Sequence, residues 1–265
     1  QDGIRDVERS RGLGDVYKRQ DWCDCLYISA CQCLHREPLS SAGTTHLMYI
    51  TDMSAFYVLT GQVTYRMSQP ITAWLSIGST YSYLTALRIN AIRREMGLNL
   101  SVKPISIRAI MKSMDNIPFP PSKKTKVDYM WRDIERRADW YGLPKPKLPA
   151  PYPLQAFDQA NKVGIVLNQQ GRYLEYFEET YRLWFVSGIE AGSEKNLRLV
   201  FNTMQLDYDD IMHQAEDEAI QQMYEANTEE AKQLGVFGAP SFSIGNEIFW
   251  GDDRLEDAIR FAASH

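Results

Sequence analysis

Cysteine is absent from Leu34 to the end of the chain. Disulfides therefore cannot staple the main body, and CxxC redox chemistry has no thiols to use there. The four cysteines present, Cys23, Cys25, Cys31 and Cys33, are spaced C-x-C-x5-C-x-C. Tetrahedral zinc sites use C-x2-C or wider pairs, so the spacing matches such a site poorly. Histidine is scarce: His35, His46, His213 and His265 have no partners that suggest a triad or a metal site, and no metal is expected. Positive charge is not in excess, and a net charge of -5 gives no general case for nucleic-acid binding. No apolar run is long enough to span a bilayer; His46 to Thr60 comes nearest, and Thr51, Asp52 and Ser54 interrupt it. The N-terminus is polar and charged, without a secretory pattern, so a cytoplasmic location is the default expectation.

What remains is ordinary for a globular protein, with 44% hydrophobic and 24% charged residues. A length of 265 residues suits one large domain, or a domain carrying an insertion. Residues 1–66 show few periodic apolar patterns. Gly3 to Gln20 resembles a translated sequencing adapter, which is set aside in fold reasoning. Asp21 to Arg66 reads as upstream sequence translated in frame, and Met67-Ser68-Gln69-Pro70 as a natural start. Residues 1–66 are thus expected to be a non-native or disordered leader; the competing reading is a cysteine-rich metal or redox appendage.

From Pro70 the pattern is orderly. Ile71 to Ile77 reads as a strand, followed by the sharp turn that Gly78 permits. Ser79 then stands where a helix N-cap is expected. Thr80 to Met96 reads as one helix, with Leu84, Leu87 and Ala91 on one face and Gly97 as its stop. Leu98 to Ile107 reads as a second strand, completing a βαβ unit. The prolines of Ile117-Pro118-Phe119-Pro120-Pro121 make Ala109 to Lys126 a loop or extended crossing rather than a helix. Lys124 to Trp140 carries a helical stripe of Val127, Met130, Trp131, Ile134 and Ala138. A proline-rich connector, Leu143 to Pro153, leads to two helical stretches over Leu154 to Val186, broken near Gly171. Residues 194–234 are mainly helical. Ser241–Ile244 and Glu247–Trp250 read as strands of a hairpin turned by Gly245-Asn246. Asp252 is expected to cap a last helix with Leu255, Ala258, Ile259 and Ala262 inward.

The order βαβ, helical insertion, ββα is that of an α/β thioredoxin-like fold with a large all-helical insertion. The expected division is 67–108 and 214–265 for the thioredoxin-like domain and 109–213 for the helical insertion. Three stretches carry a closer likeness. Ser79-Thr80-Tyr81-Ser82-Tyr83-Leu84 is similar to S-P-Y/F-S-Y/W-L. Lys126 to Asp133 is similar to K-x-x-Y-M/L-x-x-D. Gly235 to Phe242, followed by Phe249 to Leu255, is similar to G-V-F-G-V-P-T-F followed by F-W-G-x-D-R-L. On these motifs residues 67–265 resemble the 2-hydroxychromene-2-carboxylate isomerases, relatives of kappa-class glutathione transferases and DsbA-type oxidoreductases. Thr80 replaces the usual proline, Ala239 the commoner valine and Ser241 the commoner threonine.

The resemblance implies glutathione as cofactor and a small aromatic acid as substrate, and it allows a homodimer. It implies isomerisation of 2-hydroxychromene-2-carboxylate, or a related unsaturated acid of aromatic-compound breakdown, by reversible thiolate addition, bond rotation and elimination. Ser79 occupies the place of a redox cysteine; its hydroxyl cannot exchange disulfides but can donate to a glutathione thiolate, with a helix N-terminus adding about 0.3–1 kcal/mol. Pro240 matches the family's cis-proline, which exposes the Ala239 backbone to the cysteinyl backbone of glutathione. Lys126 is implied to reach a glutathione carboxylate, and Asp252 and Asp253 to lie near the γ-glutamyl end. Asp252 stands where relatives often carry serine or asparagine, and an acid there would hold the amine while repelling the carboxylate. Asn116 is implied as a substrate-side donor and Trp250 as a pocket wall, although an aromatic at a strand end is more often core. The alternatives are a kappa-class-like glutathione transferase and a non-catalytic thioredoxin-like binding module.

Overall fold

The computed structural model describes residues 58–59, 62–63, 69–116, 119–120 and 122–264. The expectation of a leader over residues 1–66 falls outside these, except for two short paired strands, β1 (Val58–Leu59) and β2 (Gln62–Val63). The main sheet begins with β3 (Ile71–Leu75), an apolar run that is buried along almost its whole length. A strand covered on both faces needs such continuity rather than alternation. It pairs in parallel with β4 (Leu100–Pro104) and antiparallel with β5 (Ser241–Ile244), which pairs antiparallel with β6 (Glu247–Trp250). The sheet order is β4-β3-β5-β6. Thus strands from 71–104 and 241–250 build one sheet, and helices occupy most of the sequence between β4 and β5.

Alternation along β3 feeds two cores. Ile71, Ala73 and Leu75 enter the large cluster shared with the helices. Trp74 points the other way, into a smaller cluster with Ile105, Ile107, Ile110, Ala231 and Val236. Its indole donates to Ser243 Oγ across the sheet at 2.9 Å.

Three local expectations are corrected. Strand β3 ends at Leu75 rather than Ile77, because both backbone groups of Ile77 are taken by a side chain: its N–H donates to Asn161 Oδ1 at 2.8 Å and its carbonyl accepts from Asn161 Nδ2 at 2.9 Å. The single helix of 80–96 is two, α1 (Ser82–Ala86) and α2 (Ile89–Met96). The break falls at Arg88, whose guanidinium is drawn inward over the Tyr141 ring at 3.7 Å and onto Glu256. A short helix, α3 (Ile107–Ser113), stands where the prolines had suggested none. Ser106 Oγ caps it by accepting from Ala109 N, and the prolines lie beyond its end, where they do not interfere.

The remaining helices follow the apolar pattern. These are α4 (Lys124–Trp140), α5 (Phe157–Gln169), α6 (Tyr173–Arg182), α7 (Glu194–Met204), α8 (Tyr208–Ala215), α9 (Glu218–Gln233) and α10 (Leu255–Ser264). Met130, Ile134 and Ala138 of α4 are buried, as are Leu255, Ala258, Ile259 and Ala262 of α10. A π-helical turn, Leu183–Ser187, continues α6, and a 3-10 turn, Asp252–Arg254, leads into α10. Among the described residues no helix is long and apolar enough to cross a membrane, and no cluster of three His, Cys, Asp or Glu is placed to hold a metal.

Candidate active site

The site is built at the end of β3. Gly78 has φ of 121°, a backbone state that side chains rarely adopt, and it delivers Ser79 to the rim. Ser79 is half-buried, and its Oγ donates to the Ala239 carbonyl at 2.6 Å. The Ala239-Pro240 bond is cis. Among the described residues the Ala239 N–H has no acceptor, so a free donor lies beside an acceptor that Ser79 already marks. Gly251 N donates to Pro240 O at 3.0 Å and ties the end of β6 to this segment. Ser79 does not cap a helix: α1 starts at Ser82, without a side-chain cap, and is only five residues long. The dipole contribution expected of a full helix at Ser79 does not carry over to this arrangement.

An aromatic wall stands beside Ala239. Trp250 is 53% exposed and Phe237 43%, with their rings edge-to-face at 4.8 Å. The indole lies directly on Gly238, where a Cβ would collide with Trp250 Nε1. Trp250 therefore lies at the surface and not in the core.

On the other flank, Tyr81 donates to Asp133 Oδ2 at 3.0 Å and faces Phe119, and Lys126 Nζ stands 5.2 Å from the Phe119 ring. Lys126 is exposed. Burial, with Asp133 adding to it, pushes the Tyr81 phenol well up, so it stays a neutral donor. Asn116 is exposed after α3, and among the described residues no hydrogen bond joins its side chain to these groups.

Asp252 is buried and does not cap the final helix. Its Oδ2 accepts from Arg137 Nε at 3.2 Å and from a terminal nitrogen of Arg137 at 2.8 Å. Burial raises the Asp252 carboxyl above its ordinary value, against the pull of Arg137. Burial would lower Arg137, but the charge and hydrogen bond of Asp252 outweigh it and hold the guanidinium above its ordinary value. Asp253 is exposed and pairs with Arg254 at 3.3 Å.

The structure thus joins Ser79, Ala239 and Pro240 directly, with Trp250 beside them. Asp252 and Asp253 follow Gly251, and Lys126 connects through Phe119 and Tyr81. Sequence reasoning missed Arg137, Asn161, Phe237 and Tyr181. Phe237 lies inside a quoted motif and was open to notice. The other three read as ordinary helix residues, and only their distant partners single them out.

The family model of the DSBA-like thioredoxin domain matches residues 70–260. The chain belongs to the DsbA-like thioredoxin family. This DsbA-like chain is 28% identical, over 72% of its length and 96% of the relative's, to a 2-hydroxychromene-2-carboxylate isomerase of Sphingobium xenophagum. It is 24% identical to glutathione S-transferase kappa 2 of Caenorhabditis elegans, over 70% of this chain and 88% of the relative. The solved structure of a 2-hydroxychromene-2-carboxylate isomerase superposes with a TM-score of 0.63 at 24% identity, covering 71% of this chain and 91% of the other, and shares the fold. These similarities agree with the motif-based resemblance and with the thioredoxin-like fold carrying a helical insertion.

Proposed function

We propose that the protein is a glutathione-dependent isomerase acting on 2-hydroxychromene-2-carboxylate or a related unsaturated aromatic-pathway acid. The carrying observation is the 2.6 Å bond from Ser79 Oγ to Ala239 O, which puts a hydroxyl donor on a backbone edge whose N–H has no acceptor among the described residues. That edge fits a peptide-like cofactor, since an extended cysteinyl unit needs one donor and one acceptor in register. When bound, glutathione supplies a nucleophilic sulfur for reversible addition, bond rotation and elimination.

The chain's own residues hold and tune it. Ser79, whose hydroxyl donates to Ala239 O in this structure, would offer that donor to the sulfur and favour the thiolate. Ala239 presents its N–H and carbonyl, held in place by Pro240. Lys126 meets a carboxylate. Asp253 takes the amine. Arg137 neutralises Asp252, which removes the repulsion that an unpaired acid there would exert on the neighbouring carboxylate. Trp250 and Phe237 offer an aromatic wall to a planar substrate, and Asn116 a donor on the substrate side. The proposal keeps the division into 67–108 with 214–265 and 109–213. Packing of α9 through Ala231 onto the Trp74 face supports counting α9 with the sheet.

Calorimetry of the full chain with glutathione, together with an isomerase assay, tests the reading. Binding that Ser79→Ala weakens, with activity down about a hundredfold, is expected. The similarity to glutathione S-transferase kappa 2 favours transferase activity as the second reading. Turnover of a generic electrophile without isomerisation would select it, and no glutathione binding would leave a binding module.

A further inference from the structure

We propose that Tyr181 is a positioning residue that sets the Ser79 hydroxyl, an inference resting on the glutathione reading above. Tyr181 is fully buried at the end of α6, about a hundred residues from Ser79 in sequence. Its single phenolic proton is shared between the carbonyls of Ser79, at 2.7 Å, and Ser76, at 3.2 Å. These carbonyls bracket the turn, whose internal bond from Ser79 N to Ser76 O is long at 3.4 Å. The middle of the turn is held by Asn161, so helices α5 and α6 together fix a segment that has little regular structure of its own.

The ring is also fixed. Phe177, Trp184 and Phe185 stand 4.8, 5.2 and 6.0 Å from it. Phe185 stacks at 4.5 Å on Tyr83 of α1, so one aromatic set grips both sides of the turn. Phenylalanine would serve that packing equally well; the hydroxyl is the part that reaches Ser79. Burial holds the phenol far above its ordinary pKa, so it remains a donor. Without it, two carbonyls lose a donor, the turn relaxes, and Ser79 Oγ loses the orientation it has toward Ala239 O.

The test compares Tyr181→Phe with Tyr176→Phe in the full chain. Tyr176 is an equally buried tyrosine whose hydroxyl donates to Ala160 O at 2.8 Å, within the helices. Calorimetry first establishes that the parent binds glutathione, and ultraviolet titration of the complex then gives the thiol's midpoint. Tyr181→Phe is expected to raise that midpoint by about one pH unit, a tenfold loss of thiolate at neutral pH, while Tyr176→Phe leaves it unchanged. In a Ser79→Ala background, Tyr181→Phe should add no further change. Site-specific 4-aminophenylalanine at 181, which keeps a donor, should titrate like the parent. Equal midpoints for Tyr181→Phe and the parent, or a shifted midpoint for the amino variant, overturn the assignment. Absence of glutathione binding by the parent overturns the functional reading itself and is distinguishable from either.

Discussion

Arg137 gives two hydrogen bonds, from Nε and a terminal nitrogen, to a single oxygen of Asp252. The pair joins α4 to the turn after β6, with Asp252 buried and Arg137 only 27% exposed at its side chain. Removing one partner of such a pair strands a charge, which costs more than the pair contributes. Arg137→Met is therefore expected to destabilise the fold by about 3 kcal/mol, the lower end for buried pairs because Arg137 retains some solvent. Adding Asp252→Leu should recover most of that loss. Urea unfolding of the two single variants and the double variant checks it; additive losses would show that the pair is not coupled.

The same carboxyl sets a pH dependence. Its folded value lies above the ordinary 3.8, chiefly through burial. Folding thus favours the neutral acid: the native state binds more protons than the unfolded one, and stability falls as pH rises through the raised value. The contribution is complete below 3.8 and declines above it. The stability of the parent relative to Asp252→Asn should accordingly decrease as pH rises from the acid side. A relative stability that increases over that range would refute the sign.

Asn161 substitutes for a strand neighbour at Ile77. Its fully buried amide also donates to Phe157 O at 2.8 Å. Asn161→Ala would leave the Ile77 N–H and carbonyl buried without partners, at about 1–3 kcal/mol for each unsatisfied group. A loss of about 3 kcal/mol is expected, together with weakened glutathione binding because the Ser79 turn loses its anchor. Unchanged denaturation midpoints would show that water replaces the amide.

Gly238 lies directly against the Trp250 indole. In Gly238→Ala the new methyl collides with the indole, but the indole is exposed and can swing away. The expected result is a small stability change, about 1 kcal/mol for the lost edge contact with Phe237, and a clear shift in tryptophan emission. On the proposed function, KM for the aromatic substrate rises more than kcat falls. Parent-like emission and KM would remove Trp250 from the pocket wall.

Much of the architecture was legible because its determinants are local. Gly245-Asn246 between two four-residue strands specifies the hairpin, the stripe from Met130 to Ala138 specifies α4, and Gly97, at φ of 61°, stops α2 where expected. The errors have tertiary causes. Ile77 leaves the strand because Asn161 claims its backbone, and the helix after Ser79 breaks where Arg88 turns inward to Tyr141 and Glu256. At the site, Ser79, Ala239 and Pro240 stood out through motifs that describe backbone turns. Arg137 and Tyr181 did not, since a helical arginine and a tyrosine in an aromatic stretch carry no local mark of their partners.

By itself the sequence determined that no thiol chemistry of the chain's own is available beyond Cys33. It also determined the βαβ, helices, ββα order, because strand and helix periodicity and turn chemistry are short-range properties. Only the tertiary structure decided that Ser79 meets Ala239, that Tyr181 holds Ser79, and that Arg137 neutralises Asp252. Each of those contacts joins residues more than a hundred positions apart. Which of many chemically equivalent donors reaches a given acceptor is settled by how the helices pack on the sheet.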